Sequence, residues 1–250
     1  MSPRYVTAPS HVAAVDLGPA TVLVNYRTGA VKTLIGPAAH WWAELSATGD
    51  PRVPRRLDPV SARALLDQLG AAGLLVAVPG AEPWPAPMTG APWAPSWGTY
   101  ELAAGREELP RAPTMATVVA APALVVVLAV LSAGRTTTRM ARLVRLLTWA
   151  TRRAARQATV EQASSIVHAV RRVGRLAPGR VACLEESAAA SLALAACGRT
   201  VTWRHGVAAD PIRLHAWVET DGQSPVAEPP STARYTPLLT IPQGNHGVRI

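Results

Sequence analysis

Three groups of residues carry side chains that together can break an acyl bond: Cys183-Leu184-Glu185-Glu186-Ser187, His215-Ala216-Trp217-Val218-Glu219, and Glu228. A thiol, an imidazole and a carboxylate are the parts of a cysteine nucleophile site. The thiolate attacks, the imidazole takes and returns its proton, and the carboxylate orients the imidazole. Pro178-Gly179 ends a preceding helix, and Cys183 opens an Ala/Leu-rich one that runs to about Ala196. The positive end of a helix dipole favours a thiolate at that place. Ser187, Ala190 and Ser191 follow on the same face, small enough for another element to approach the thiol. Cys197 lies at the far end beside Gly198, where the dipole disfavours a thiolate, and is assigned a structural role.

The imidazole and the carboxylate need a sheet to bring them together. Thr200 to Val207 and Arg213 to Thr220 read as strands, and Asp221-Gly222 is a two-residue hairpin signal. With that turn at the centre, His215 falls directly opposite Glu228, within hydrogen-bonding reach by cross-strand geometry. A three-residue loop would shift this pairing. His205 is an alternative base, and Asp210 or Asp221 an alternative orienting acid. The order helix-Cys, strand-His, strand-acid is the order of papain-like and transglutaminase-like folds.

The rest of the chain bounds what surrounds this set. Its 250 residues, 49% of them hydrophobic, suffice for two modest domains. Two cysteines 14 positions apart make no disulfide framework. Met1-Ser2-Pro3-Arg4 leads into no apolar signal sequence, so a reducing, cytoplasmic setting is expected. Neither a Cys-x-x-Cys nor a His-x-x-x-His pair is present, and no metal ligands are assigned. The net charge of +9 is unevenly placed. Residues 1–95 hold 7 Arg/Lys and 6 Asp/Glu, whereas residues 135–180 hold 11 Arg and the single acid Glu161. A basic face of that kind meets nucleic acid, acidic headgroups or an acidic partner, or is simply solvated.

In the first 80 residues, His11 to Val15, Thr21 to Tyr26 and Ala30 to Leu34 form a three-stranded meander punctuated by Gly18-Pro19 and Thr28-Gly29. Pro37 opens a helix through Trp41, Trp42 and Leu45. Asp58 caps a second helix bearing Leu65, Leu66 and Leu69, and Gly73 stops it. This is a small winged-helix-like module without a nucleophile or phosphate loop. Its near-neutral charge argues against nucleic acid. The third strand, with Val31, Lys32, Thr33 and Leu34, offers an edge for an extended peptide, floored by the helix of Leu65, Leu66 and Leu69; those leucines equally suit the module's own core.

Between residues 79 and 98 the chain carries six prolines and three tryptophans, which reads as an extended, semi-rigid linker. Met115 to Gly134 is almost wholly apolar. It is read as a buried first helix of the second domain, with membrane association through 115–134 as the alternative. Thr138 to Ala158 and Glu161 to Val173 then read as two further helices.

The first module, through Gly29-Ala30-Val31-Lys32-Thr33-Leu34, Trp41-Trp42-Ala43-Glu44-Leu45 and Leu69-Gly70-Ala71-Ala72-Gly73-Leu74-Leu75, resembles the PqqD-like recognition element of ribosomal-peptide biosynthesis. In that family a substrate's leader lies antiparallel along the third strand. The second part, through Cys183 to Ser187, Gly198-Arg199-x-Val201, Gly206-Val207, His215 to Glu219 and Asp221-Gly222, resembles the leader peptidase of lasso-peptide biosynthesis. Two departures stand out. The acid commonly lies twelve residues after the histidine and is often Asp, whereas here Ala227 is at twelve and Glu228 at thirteen. The position three after the cysteine, often basic, is Glu186.

The resemblance implies an α+β chain: a PqqD-like module over 1–80, a linker over 81–110, and a transglutaminase-like/papain-like domain over 111–250 with a helical half and a C-terminal antiparallel sheet. It implies a cysteine leader peptidase using Cys183, His215 and Glu228, with a precursor peptide and a lasso cyclase as partners. No bound cofactor is expected, any ATP dependence entering through the cyclase, and the location is cytoplasmic or peripheral to the inner membrane face. An acyl-transferring transglutaminase, or a non-enzymatic basic binder of membrane or nucleic acid, are the competing readings.

Overall fold

Short runs rich in Val, Leu and Thr, separated by glycine turns, build a small sheet in the first ninety positions, and all six residues of its strand over 20–25 are buried. In the computed structural model, which describes residues 4–91, 110, 112–220 and 224–242, strands β2 (Val12–Asp16), β3 (Ala20–Asn25) and β4 (Ala30–Ile35) form the expected antiparallel meander. A short β1 (Tyr5–Thr7) pairs instead with β5 (Val76–Val78), which leaves the second helix. Helix α1 (Pro37–Thr48) has its proline in the first turn. Helix α2 (Pro59–Ala71) is capped by the Asp58 carboxylate, which accepts from Val60 N and Ser61 N at 3.0 Å. Leu23, Trp41, Trp42, Leu45, Leu69 and Leu74 fill the space between sheet and helices. Asn25 locks the layers together: its Nδ2 donates to Gly73 O at 2.9 Å while its Oδ1 accepts from Arg27 N.

The chain divides into two compact units, one within Met1–Trp93 and the other within Ala94–Gly247, apart from the three C-terminal residues. The first part of the expected linker, from residue 81, packs within the first unit. Trp84 N donates to Ser46 O at 3.0 Å and the Trp84 ring meets Trp42 edge-on at 5.5 Å. Strand β6 (Met88–Thr89) then runs parallel to β2, closing the sheet order β4-β3-β2-β6. Residues 92–109 of the expected linker lie outside the described residues.

In the second unit, α3 (Thr114–Ser132), α4 (Arg139–Arg153) and α5 (Val160–Gly174) surround α6 (Cys183–Ala196). Small residues make this possible. Ala188, Ala189, Ala190 and Ala193 are fully buried, so neighbouring backbones approach α6 closely. A two-residue parallel bridge joins β7 (Arg156–Gln157) to β8 (Arg199–Thr200). The sheet of β9 (Thr202–Ala208), β10 (Arg213–Thr220), β11 (Ser224–Pro225) and β12 (Thr236–Ile241), in the order β11-β10-β9-β12, packs on α6.

The apolar run forms one helix, as its length requires, but it is not buried all round. Ala116, Ala120, Ala123, Leu124 and Val127 face the bundle, whereas Met115, Val118 and Val125 are exposed. It is long and apolar enough to cross a membrane by length and composition, with a mean hydropathy of 2.5 and 28% of that window buried.

This asymmetry predicts opposite fates for two neighbouring substitutions. Val127→Asp places an unpaired charge in the core, at a cost of several kcal/mol, and thermal unfolding should shift down by roughly 10 °C or more. Val125→Asp, on the exposed face, should stay within about 0.5 kcal/mol of the parent in a denaturant titration.

Candidate active site

Cys183 is the first residue of α6, where the backbone N–H groups are unpaired by the helix itself. Glu185 stabilises this end by accepting from Ala182 N at 3.0 Å. The thiol is half-buried. One turn on, Ser187 Oγ accepts from Trp203 Nε1 at 2.9 Å, pinning α6 to β9 behind the nucleophile.

His215, the third residue of β10, stands between a thiol and a carboxylate. Its Nε2 lies 2.8 Å from Glu228 Oε2, and the Cys183 side chain is near enough to raise the basicity of the ring. With Nε2 held by the carboxylate, Nδ1 is the nitrogen left to serve the thiol. Burial alone would lower the basicity of this ring. The hydrogen bonds and charges of Cys183 and Glu228 overcome that and raise its pKa to about 9. The imidazole is thus held as an imidazolium at neutral pH, poised to donate a proton.

Gly206 is the partner of His215 across the β9–β10 ladder. A Cβ there would lie 2.5 Å from Thr236 O and 2.9 Å from the Trp217 ring, so only glycine admits the packing. The His215 ring is stacked near Trp217, with centroids 5.9 Å apart, and tilted against Tyr235 at 5.2 Å. Trp217 is fixed in turn by donating Nε1–H to Glu219 at 2.7 Å, whose other oxygen lies 2.8 Å from Arg204 Nε.

Glu228 reaches His215 by a route the hairpin argument does not describe. The ladder pairs Thr220 with Ser224 and Glu219 with Pro225, leaving three residues between the strands rather than two. The register that sets His215 opposite Glu228 is therefore absent, and the turn residues Asp221 and Gly222 lie outside the described residues. Strand β11 ends after two pairs, Val226 N donates to Val218 O, and Ala227 adopts a positive φ of 52°. That turn, not the ladder, presents the carboxylate.

Arg171 of α5 holds the turn in place. Its Nη1 donates to Ala227 O at 2.6 Å, its Nη2 to Glu228 Oε1 at 2.5 Å, and its Nε to Glu186 Oε2 at 3.4 Å. Burial raises the Glu186 pKa, and the Arg171 charge and hydrogen bond offset this only in part. Arg171, Cys183, Glu186, Ser187 and Glu228 line one small enclosed cavity with Ala216 and Val218. Sequence reasoning missed Arg171, which is one of 11 arginines in the basic 135–180 region and carries no motif of its own. Its signal was its place: it follows Val170 and lies one turn after Val167, both buried.

The other candidates fall elsewhere. His205 is buried, pairs with Ala216 and Leu239, and stacks on Trp203. Burial, then the charge of His215, lowers its pKa to about 4, so it is neutral at physiological pH. Asp210 sits in the turn between β9 and β10. Cys197 follows the last residue of α6, about 21 Å along the helix from Cys183 at 1.5 Å per residue. It is exposed, so it packs no core.

In the first unit, Val31, Lys32 and Thr33 are exposed on β4, which is a sheet edge. Leu34, Leu66 and Leu69 are buried in the core and Leu65 packs against it. These four leucines support the module from inside and present little surface to a ligand. The physical reason is the helical period: the face that holds Leu66 and Leu69 covers the sheet, leaving Arg63, Ala64 and Asp67 outward.

Residues 125–240 match the family described as the transglutaminase-like superfamily. No curated protein and no solved structure matches the chain. The second unit thus carries a transglutaminase-like domain, whose chemistry is compatible with a cysteine hydrolase or an acyl transferase.

The raised His215 pKa makes a direct prediction. Imidazole NMR should show His215 titrating near pH 9 and His205 near pH 4. Cys183→Ala or Glu228→Gln should each move the His215 titration down. Because folding raises this pKa above its ordinary 6.5, the stability it contributes is full below pH 6.5 and lost as the pH rises through about 9.

Proposed function

We propose that the chain is a leader peptidase of lasso-peptide maturation, which binds the leader of a ribosomal precursor peptide and hydrolyses the leader–core amide bond. One observation carries the chemistry: His215 lies between the Cys183 thiol and the Glu228 carboxylate at the N-terminus of α6, inside a transglutaminase-like domain. The choice of substrate rests on the motif resemblance of both units and on the exposed edge of β4.

The leader adds as an antiparallel strand to β4 along Val31, Lys32 and Thr33, at the end of the sheet order among the described residues. Cys183 thiolate attacks the scissile carbonyl, forming the C–S bond as the carbonyl electrons move to oxygen. The C–N bond then breaks, and the His215 imidazolium gives its proton to the departing core amine. Neutral His215 next takes a proton from water, whose oxygen attacks the thioester. Thiolate leaves, the leader departs with a new carboxylate, and the imidazolium–thiolate pair is restored. The free core amine passes to a separate ATP-using cyclase, through which any ATP dependence would enter.

The test is cleavage of a precursor peptide encoded beside this chain, followed by mass spectrometry. Cys183→Ala should abolish cleavage while fluorescence anisotropy shows leader binding unchanged. His215→Ala should slow cleavage by about 10²–10⁴-fold, the range of general acid–base catalysis, and Glu228→Gln by less, since it orients and does not transfer the proton. A cross-linked peptide in place of a free leader acid would identify an acyl transferase. Cleavage surviving in Cys183→Ala would refute the nucleophile.

A further inference from the structure

The Glu228 carboxylate is delivered by a turn that has no strand ladder to hold it. Ala227, an L residue, sits at φ 52°, a left-handed conformation that such residues rarely hold without outside support. Beyond the 224–225 bridge, the Val226 N–H to Val218 O bond is the backbone contact tying this turn to β10. The remaining support comes from another element. The Arg171 side chain reaches from α5 to both sides of the Ala227–Glu228 peptide unit, gripping the Ala227 carbonyl with one terminal nitrogen and the Glu228 carboxylate with the other. Its third donor meets Glu186, three residues after Cys183 on α6. The guanidinium is about three-quarters buried, with a side-chain exposure of 23%, and Glu228 is at 8%. A planar fork with five fixed donors suits this three-way geometry, whereas an ammonium group does not.

We infer that Arg171 is the positioning residue of the site: it sets Glu228 against His215 and, through Glu186, references that pair to the helix that carries Cys183. This rests on the reading of Cys183, His215 and Glu228 as the reactive set. The hydrogen bonds of Arg171 go to Ala227, Glu228 and Glu186, so it acts on the reactive set through Glu228. Its work is done on one oxygen of Glu228, leaving the other for Nε2 of His215. The buried carboxylate thus has both oxygens engaged, one by a permanent cation and one by a switchable one. Without Arg171, Ala227 loses the bond that steadies its left-handed backbone, the turn relaxes, and His215 loses its orienting partner.

The experiment is a double-mutant cycle read by two probes. Arg171→Met, Glu228→Gln and the double variant are compared for the imidazole NMR titration of His215 and for the rate of Cys183 alkylation by iodoacetamide across pH. Neither readout requires a peptide substrate. If Arg171 acts through Glu228, each single variant lowers the His215 titration by a unit or more, and the double variant is no worse than Glu228→Gln alone. Arg171→Lys keeps the charge without the fork and should recover less than half of the shift. A merely structural role gives a different pattern: the melting temperature falls while the His215 titration of the folded protein stays put, or the two losses add. Either of those results overturns the inference. Normal cycle behaviour in a chain that cleaves no leader peptide would instead leave Arg171 in place and remove the peptidase reading.

Discussion

The 2.8 Å contact between His215 Nε2 and Glu228 Oε2 is the point on which the second unit converges. One partner is fixed by the central strand β10, the other by a short turn after β11, and the turn is clamped to α5 through Arg171. The same imidazole faces the thiol at the start of α6. Sheet, turn, and two helices must therefore all be in register for the set to exist. The small residues Ala188, Ala189, Ala190, Ser191 and Ala193 of α6 permit such close packing, because a larger side chain there would push the helix, and Cys183 with it, off the sheet.

Electrostatics follow from this packing. His215 is buried enough that an isolated ring would be neutral, as His205 shows two residues from Trp203's stacking face of the neighbouring strand. Two histidines on adjacent strands thus end in opposite states. The difference is made by partners: His215 has an acid on one side and a thiol on the other, while His205 feels burial and the positive charge of His215. A ring held as imidazolium is the acid a departing amine needs.

Much of this arrangement was legible in the chain and some was not. Cys183 at a helix start follows from Pro178-Gly179 upstream and the Ala/Leu run downstream, and α6 begins at that residue. The strand of His215, read over Arg213 to Thr220 ahead of the Asp221-Gly222 turn signal, is β10 with the same bounds. The meander of the first unit, the Asp58 cap and the Gly73 stop likewise follow from local turn and capping chemistry. Glu228 was selected by a hairpin register that the structure lacks; the three-residue connection moves the ladder by one position, and a non-ladder turn restores the contact. No local rule anticipates that, because the support is 57 residues away in sequence, on Arg171. Nor does an apolar run say how much of its surface is covered: α3 buries one face and exposes the other, since the bundle offers it neighbours on one side. The leucines of α2 show the converse, apolar residues that a binding role and a core role explain equally well until burial assigns them to the core.

The central claim is a covalent one, that a leader is carried as an acyl group on Cys183, and the most direct measurement is the intact mass of the protein quenched in acid during turnover of a precursor peptide. The account predicts an adduct equal to the leader minus one water, located by proteolysis on Cys183 and released by hydroxylamine. Turnover with no adduct on Cys183 under any quench, and with cleavage undiminished in Cys183→Ala, would contradict it.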